Sequence, residues 1–166
     1  MPVLEIVTHI NAPKEICFQL ALSVDLHTIS TQRTQETIVA GVKSGLLQLG
    51  ESVTFRARHF GVWQTLTSKV TEMHAPTYFC DEMQKGAFKR MRHEHHFRSE
   101  GSVTIMRDVF AFKSPLGWLG KVADIILKPY LRRFLVERCA IIKQFSETEE
   151  WRKVLSLHAA YEAPLH

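Results

Sequence analysis

Hydrophobic and polar positions change their spacing twice along this chain. Residues 3–10 are rich in β-branched side chains and predict a strand. Residues 13–24 then carry apolar side chains at helical spacing behind Pro13, a residue that fits a first helical turn. Asp25 is expected to cap a second short helical turn that reaches about Ile29. The chain is therefore expected to open with one strand and two short helices.

The middle of the chain, residues 36–113, has the shorter spacing that is typical of strands. Glycine and proline mark the connections between these strands, and connections this short join antiparallel neighbours. The predicted strands are 36–41, 51–60, 62–73, 77–84, 88–98 and 102–112.

The last part of the chain returns to helical spacing. Ser114 and Pro115 predict a helix start, and apolar residues follow at steps of three and four as far as Phe145. Pro129 is expected to kink or interrupt this long helix, because proline lacks the amide hydrogen that a helix interior needs. This order of elements predicts an α+β fold, with the helices gathered on one face of an antiparallel sheet.

The C-terminal segment is expected to stand outside this domain. Ser146 and Glu149 have the spacing of a capping box, which predicts that a further short helix starts there. We therefore predict one main domain over residues 1–146 and an extension over residues 147–166, which is either that short helix or a loose tail.

Composition and charge narrow the function classes. The chain has 166 residues, of which 45% are hydrophobic and 23% are charged, and this composition is typical of one globular domain. The 21 basic and 17 acidic residues leave a net charge of +4. Because the basic residues form no clustered stripe, this excess does not indicate a nucleic-acid partner.

The cysteines and the apolar segments bear on location. No stretch approaches the roughly 18 apolar residues that a membrane span needs, and the first residues lack the pattern of a secretory signal. Cys17, Cys80 and Cys139 are far apart and lie among apolar neighbours, which is typical of buried thiols in a reducing compartment. We therefore predict a cytoplasmic protein with no integral membrane segment.

Several segments, spread over most of the chain, carry a resemblance to a known superfamily. They read INAPKE (10–15), SVDLH (23–27), GESVTFRARHFG (50–61), FCDEM (79–83), GAF (86–88), HEH (93–95) and SPLG (114–117). These segments and the element order resemble the helix-grip superfamily of START domains, the birch-pollen allergen and polyketide cyclases. Within it, they are similar to small stand-alone bacterial proteins of the polyketide cyclase/dehydrase type.

The resemblance implies a specific architecture. It implies a curved antiparallel sheet of about seven strands wrapped around a long C-terminal helix, with two short helices after the first strand and an enclosed cavity. The superfamily includes lipid carriers, hormone receptors, aromatases and cyclases, so the resemblance implies no single reaction.

His93 and His95 carry the most specific chemical signal in the chain. Side chains alternate along a strand, so both rings lie on one face of their predicted strand. That face is mostly apolar and should point at the helix and the cavity. A turn centred on Glu100 and Gly101 sets His93 opposite Asp108 in the next predicted strand.

Three interpretations of this group stay open. In the first interpretation, Asp108 orients His93, which acts as a general base. In the second interpretation, the imidazoles and the carboxylate bind a metal ion. In the third interpretation the group forms a hydrogen-bonded polar floor in an apolar cavity. The sequence favours the polar floor, so we assign no metal and no cofactor.

Two further polar residues are expected on inward faces. Asp81 shares a face with Phe79, and an ionised carboxylate on that face needs a buried partner. His59 shares a face with Phe55 and is either a ligand contact or a satisfied core residue. The expected apolar ligand contacts are Phe55, Met83, Met91, Phe110, Leu127 and Leu131.

The sequence therefore predicts that the chain binds a small hydrophobic molecule, lipid-like or polyketide-like, in an internal cavity. The first alternative is a cyclase-, aromatase- or hydrolase-like enzyme that acts on a hydrophobic substrate through His93 and Asp108. The second alternative is a surface interaction module without a ligand, whose interior would be filled. The small molecule is the expected partner, and the chain is expected to be a monomer or a homodimer. The expected polar contacts are His59, Asp81, His93, His95 and Asp108.

Overall fold

Seven strands form one antiparallel sheet in the computed structural model, which describes residues 1–115 and 117–161. They are β1 (Val3–Ile10), β2 (Thr37–Gly41), β3 (Ser52–His59), β4 (Val62–His74), β5 (Tyr78–Lys85), β6 (Arg90–Glu100) and β7 (Val103–Lys113). Their order in the sheet is β1-β7-β6-β5-β4-β3-β2. The strand β1 therefore pairs with the last strand, while the other strands pair with their neighbours along the chain.

The helices complete the predicted α+β architecture. They are α1 (Lys14–Leu22), α2 (Val24–Ser30), a 3₁₀ turn (Gln32–Thr34), α3 (Gly117–Glu147) and α4 (Glu150–Tyr161). Two short helices follow β1 and the long helix follows β7, as predicted. Among the described helices, none is both long and apolar enough to cross a membrane.

One stripe of α3 packs against the inner face of the sheet. Its buried residues share a core cluster with inward-facing residues of β6 and β7, among them Phe97 and Met106. Steps of three and four along a helix return to the same face, so a single stripe is enough to cover the sheet. The buried stripe consists of Leu131, Leu135, Cys139 and Ile142.

The start of α2 differs from the prediction. Ser23, and not Asp25, is the N-terminal cap, because the Ser23 hydroxyl accepts a hydrogen bond from the Leu26 amide at 3.1 Å. Asp25 lies in the first turn, where it accepts hydrogen bonds from the Ser44 hydroxyl and the Gly45 amide. The carboxylate thus fixes a distant loop, a use that local sequence does not reveal.

The C-terminal helices differ from the prediction in two respects. Pro129 does not interrupt α3, and the helix continues through it; residues 125 and 129 are exposed, so water can satisfy the freed carbonyl group. Ser146 lies inside α3 and is buried, so it does not cap α4. Instead, the Thr148 hydroxyl accepts from the Glu150 amide at 3.4 Å.

The C-terminal extension contains α4, and Val154 of this helix belongs to the main core cluster. Residues 162–166 of the predicted extension lie outside the described residues. The division at residue 146 remains a prediction.

The pairing of β6 with β7 is shifted by two residues from the predicted pairing. Glu100 pairs with Val103, so the turn between them is the pair Gly101-Ser102. Gly101 has φ 61°, a left-handed conformation that glycine adopts without strain. As a result His95, and not His93, is opposite Asp108. A shift of two residues preserves the faces of both strands, so the inward-facing set was predicted correctly.

Candidate functional site

An internal cavity of about 300 Å³ lies between the sheet and the helices. Residues of β3 to β7 and of α1, α2 and α3 line this cavity, so the sheet and the long helix leave space between them that their side chains do not fill. The residues that were predicted from the sequence and that line the cavity are Phe55, His59, Asp81, Met91, His93, Phe110, Leu127 and Leu131.

Three predicted ligand contacts do not line this cavity. His95 and Asp108 lie deeper, with 0% and 2% of their surface exposed. The ring of His93 packs against that of His95, with 3.9 Å between the ring centroids. Met83 lies near the end of β5. Its side chain is close to Gly86, the residue that follows the strand, and packs against the core. The alternation of side chains predicts the face of a residue, but it does not predict how deep the residue lies.

Four residues at the base of the cavity form a group that we call the Asp–His cluster: Asp81, His93, His95 and Asp108. Asp81 of β5 pairs with His93 of β6, and His95 of β6 pairs with Asp108 of β7. Three adjacent strands thus place a carboxylate on each side of the two imidazole rings.

Each ring in the cluster lies between the two carboxylates. His95 Nε2 is 3.1 Å from Asp81 Oδ1, and His95 Nδ1 is 2.7 Å from Asp108 Oδ1. His93 Nε2 is 3.2 Å from Asp108 Oδ1, and His93 Nδ1 is 3.9 Å from Asp81 Oδ1. Asp81 therefore has the buried partner that the sequence required, and that partner is a histidine.

The outer carboxylate oxygens of the cluster also have partners. The Ser68 hydroxyl donates to Asp81 Oδ2 at 2.7 Å, and the Cys139 thiol donates to Asp108 Oδ2 at 3.5 Å. Two ring nitrogens are less well satisfied. His93 Nε2 and His95 Nδ1 are buried, and neither makes a hydrogen bond of good geometry with any described residue.

The electrostatics of the cluster keep both carboxylates ionised. Burial acts to raise the pKa of each aspartate, but the nearby histidines outweigh it and hold the pKa of Asp81 and of Asp108 below the usual range. Burial, together with His95, lowers the pKa of His93 to about 4. Burial also acts to lower the pKa of His95, but Asp108 and Asp81 outweigh it and raise that pKa. The ring that lines the cavity, His93, is therefore neutral near pH 7.

A second set of polar residues lines the cavity away from the cluster. His59 Nδ1 is 2.7 Å from the Tyr130 hydroxyl, and His27 Nε2 is 2.5 Å from Glu36 Oε1. Burial lowers the pKa of His59. Sequence reasoning missed Tyr130, His27 and Glu36. Tyr130 could have been found from its place in the apolar stripe of the long helix, three residues after Leu127, but no sequence pattern joins His27 to Glu36.

Comparison with known proteins identifies solved structures that share this architecture. No protein-family model matches the chain, and no curated protein matches it. Among solved structures, a START superfamily protein from Mycobacterium smegmatis aligns with a TM-score of 0.66 and 10% identity, over 86% of this chain and 98% of that one. The ginseng major latex-like protein 151 from Panax ginseng aligns with a TM-score of 0.66 and 15% identity, over 89% of this chain and 98% of that one.

The chain has the helix-grip fold. A protein from Thermus thermophilus aligns equally well, with a TM-score of 0.68 and 14% identity over 86% of this chain and 95% of that one. The sequence-based expectation of a helix-grip fold is therefore confirmed. At these identities the likeness extends to the fold alone, and the likeness to the cyclase/dehydrase type remains a prediction.

Proposed function

We propose that this helix-grip protein binds a small, largely apolar molecule in its internal cavity. The observation that carries the proposal is a partly open cavity of about 300 Å³ with mainly apolar walls and a few polar groups. Ligand pockets usually have volumes of about 300–1,000 Å³, so the ligand is expected to be a compact molecule, such as one with two or three fused rings or a short acyl chain.

Polar groups at the cavity wall can orient the bound molecule. Asp81 and His93 face the space from one side, and His59 and Tyr130 contribute from another part of the lining. An apolar molecule with one hydroxyl or carbonyl group satisfies such an arrangement, because the group hydrogen-bonds to the wall while the remaining surface replaces water. A filled interior, which the surface-module alternative requires, does not agree with this cavity.

Filling part of the cavity is expected to weaken ligand binding. Ala57 is buried and lines the cavity, so Ala57→Leu places a larger side chain where the ligand would lie. Steric overlap in a packed interior costs about 1–3 kcal/mol, so we expect affinity to fall by about tenfold or more. The measurement is fluorescence titration with anilinonaphthalene sulfonate as the probe, alongside native mass spectrometry of the protein as purified, which also reports its oligomeric state.

The matched control is Ala111→Leu. Ala111 lies between the inward-facing Phe110 and Phe112 on β7, so its side chain points to the opposite face of the sheet. This variant should bind the probe as the wild type does. The proposal fails if Ala57→Leu folds and binds with wild-type affinity, or if both variants lose binding equally.

A hydrolase- or cyclase-like activity is a second candidate, favoured by one contact. His93 lines the cavity, and its Nε2 lies 3.2 Å from Asp108 Oδ1, so a carboxylate lies behind a ring that faces the cavity, as it does for many general bases. In an enzyme, His93→Gln should lower turnover far more than binding, whereas a binding protein should keep much of its affinity for the probe. The turnover of a naphthyl ester, measured together with the probe titration, distinguishes an enzyme from a binding protein. His59→Gln, a second histidine variant in the cavity lining, is the comparison.

A further inference from the structure

Three potential metal-binding atoms in the Asp–His cluster lie close together. One ring nitrogen from each of His93 and His95 and one carboxylate oxygen of Asp81 all lie within 4.8 Å of one another. Measured from Asp81 Oδ1, the nearest ring nitrogens are His95 Nε2 at 3.1 Å and His93 Nδ1 at 3.9 Å. This set is not the one that the sequence suggested, because Asp81 takes the place expected for Asp108.

The spacing of these atoms suits a metal ion. Zinc bonds to imidazole nitrogen and carboxylate oxygen are about 2.0–2.1 Å long, so two ligands at a tetrahedral angle lie about 3.3 Å apart. The distances of 3.1 and 3.9 Å lie on either side of that value. Small movements of side chains would bring the three donors to bonding distance of one ion.

The opposite side of each ring has the partner that metal-binding histidines usually have. His93 Nε2 and His95 Nδ1 lie 3.2 and 2.7 Å from Asp108 Oδ1. A histidine that binds a metal through one nitrogen commonly donates its other N–H to a carboxylate, which fixes the tautomer and the ring orientation. These same two nitrogens are buried without a well-formed hydrogen bond among the described residues, and an ion on the Asp81 side would give them a defined donor role toward Asp108.

The charge of the cluster also favours a cation. One carboxylate lies on each side of the two rings, and the ion pairs of these carboxylates within the described part of the chain are with histidines only. Negative charge on these carboxylates is costly where water is largely excluded. A divalent ion beside Asp81 would offset part of that charge.

We propose that Asp81, His93 and His95 bind one divalent first-row transition-metal ion, with Asp108 as the carboxylate that holds both histidine rings from behind. Two imidazoles and one carboxylate favour ions such as Zn²⁺ over Mg²⁺ or Ca²⁺, which prefer sets of oxygen ligands. Asp81 and His93 line the cavity, so a further coordination position faces the space for the ligand. The proposal of a metal site rests on these contacts and does not depend on which molecule the cavity binds.

The test is titration of the full chain with Zn²⁺ alone, after chelator treatment and without any organic ligand. We expect one ion per chain by calorimetry, and the visible spectrum of a four-coordinate ion when Co²⁺ is used as a probe. Asp81→Asn removes a ligand and should weaken Zn²⁺ binding by more than the roughly 10–100-fold that loss of an outer carboxylate costs. Asp108→Asn should weaken it within that 10–100-fold range.

The matched control is His96→Gln. His96 is the next residue on β6, but it points to the other face of the sheet, where its Nε2 lies 3.3 Å from Glu94 Oε2. This variant should bind Zn²⁺ as tightly as the wild type. The proposal is overturned if the chelator-treated wild type takes up no ion, if folded Asp81→Asn binds as tightly as the wild type, or if His96→Gln loses the ion. The wild-type Zn²⁺ and Co²⁺ titrations need no variant, so they decide the matter even where a variant does not fold.

Discussion

Replacing Asp108 with alanine is expected to lower the free energy of unfolding by about 3–5 kcal/mol. Asp108 is 2% exposed, and its carboxylate lies within 3.2 Å of ring nitrogens of both His93 and His95. It also accepts from the Cys139 thiol. Alanine removes the buried carboxylate that faces both rings and leaves the Cys139 thiol without its acceptor, and a buried group that loses its partner costs its full desolvation. Urea unfolding with chelator present measures the loss without any contribution from a metal ion.

Two further variants show whether the loss comes from the buried contacts. Asp108→Asn keeps the volume and one acceptor oxygen, so it should cost less than alanine. Glu5→Ala removes a carboxylate of the neighbouring strand β1 whose partner is Arg107, and each of these side chains is about half exposed. Exposed ion pairs contribute little to stability, so Glu5→Ala should change unfolding far less. A cost for Asp108→Ala no larger than that for Glu5→Ala would show that the cluster does not stabilise the fold.

The inward face of each strand was predictable because side chains alternate with a period of two. That period placed His93, His95 and Asp108 on one face, and it would have placed Ser68 there as well, between the inward-facing Leu66 and Val70. The turn was assigned to the wrong pair of residues. The resulting error of two residues placed Asp108 opposite His93 instead of His95, without moving any side chain to the other face.

The composition of the cluster was not predictable in the same way. Asp81 is fourteen residues before His95, across the connection between β5 and β6, and the sequence contains no turn signal sharp enough to set that register. The sequence therefore required a partner for Asp81 without identifying it. Depth was the other unknown, because whether His95 lies behind His93 depends on how the rings stack.

Truncating Phe112 to alanine is expected to cost about 3–5 kcal/mol of unfolding free energy. Phe112 is 0% exposed, and its ring packs against those of Phe88 and Phe110 at centroid distances of 5.6 and 6.0 Å. It does not line the cavity, so its removal opens a new void among side chains that already fill their space. The free energy lost then includes both the transfer of the ring and the unfilled volume, and denaturant unfolding measures the sum.

Phe110 is the matched control, because it lies on the same face of the same strand and lines the cavity. Truncating it enlarges a space that already exists, so Phe110→Ala should cost less than Phe112→Ala. It also removes the edge-to-face contact with His93, whose ring centroid lies 5.2 Å away, and should allow the cavity to bind apolar molecules larger than those the wild type accepts. If Phe110→Ala were as costly as Phe112→Ala and gained no affinity for larger ligands, the space beside Phe110 would be too small to receive a ligand. The cavity would then have to be divided between its two polar regions, with binding confined to the part near His59 and Tyr130.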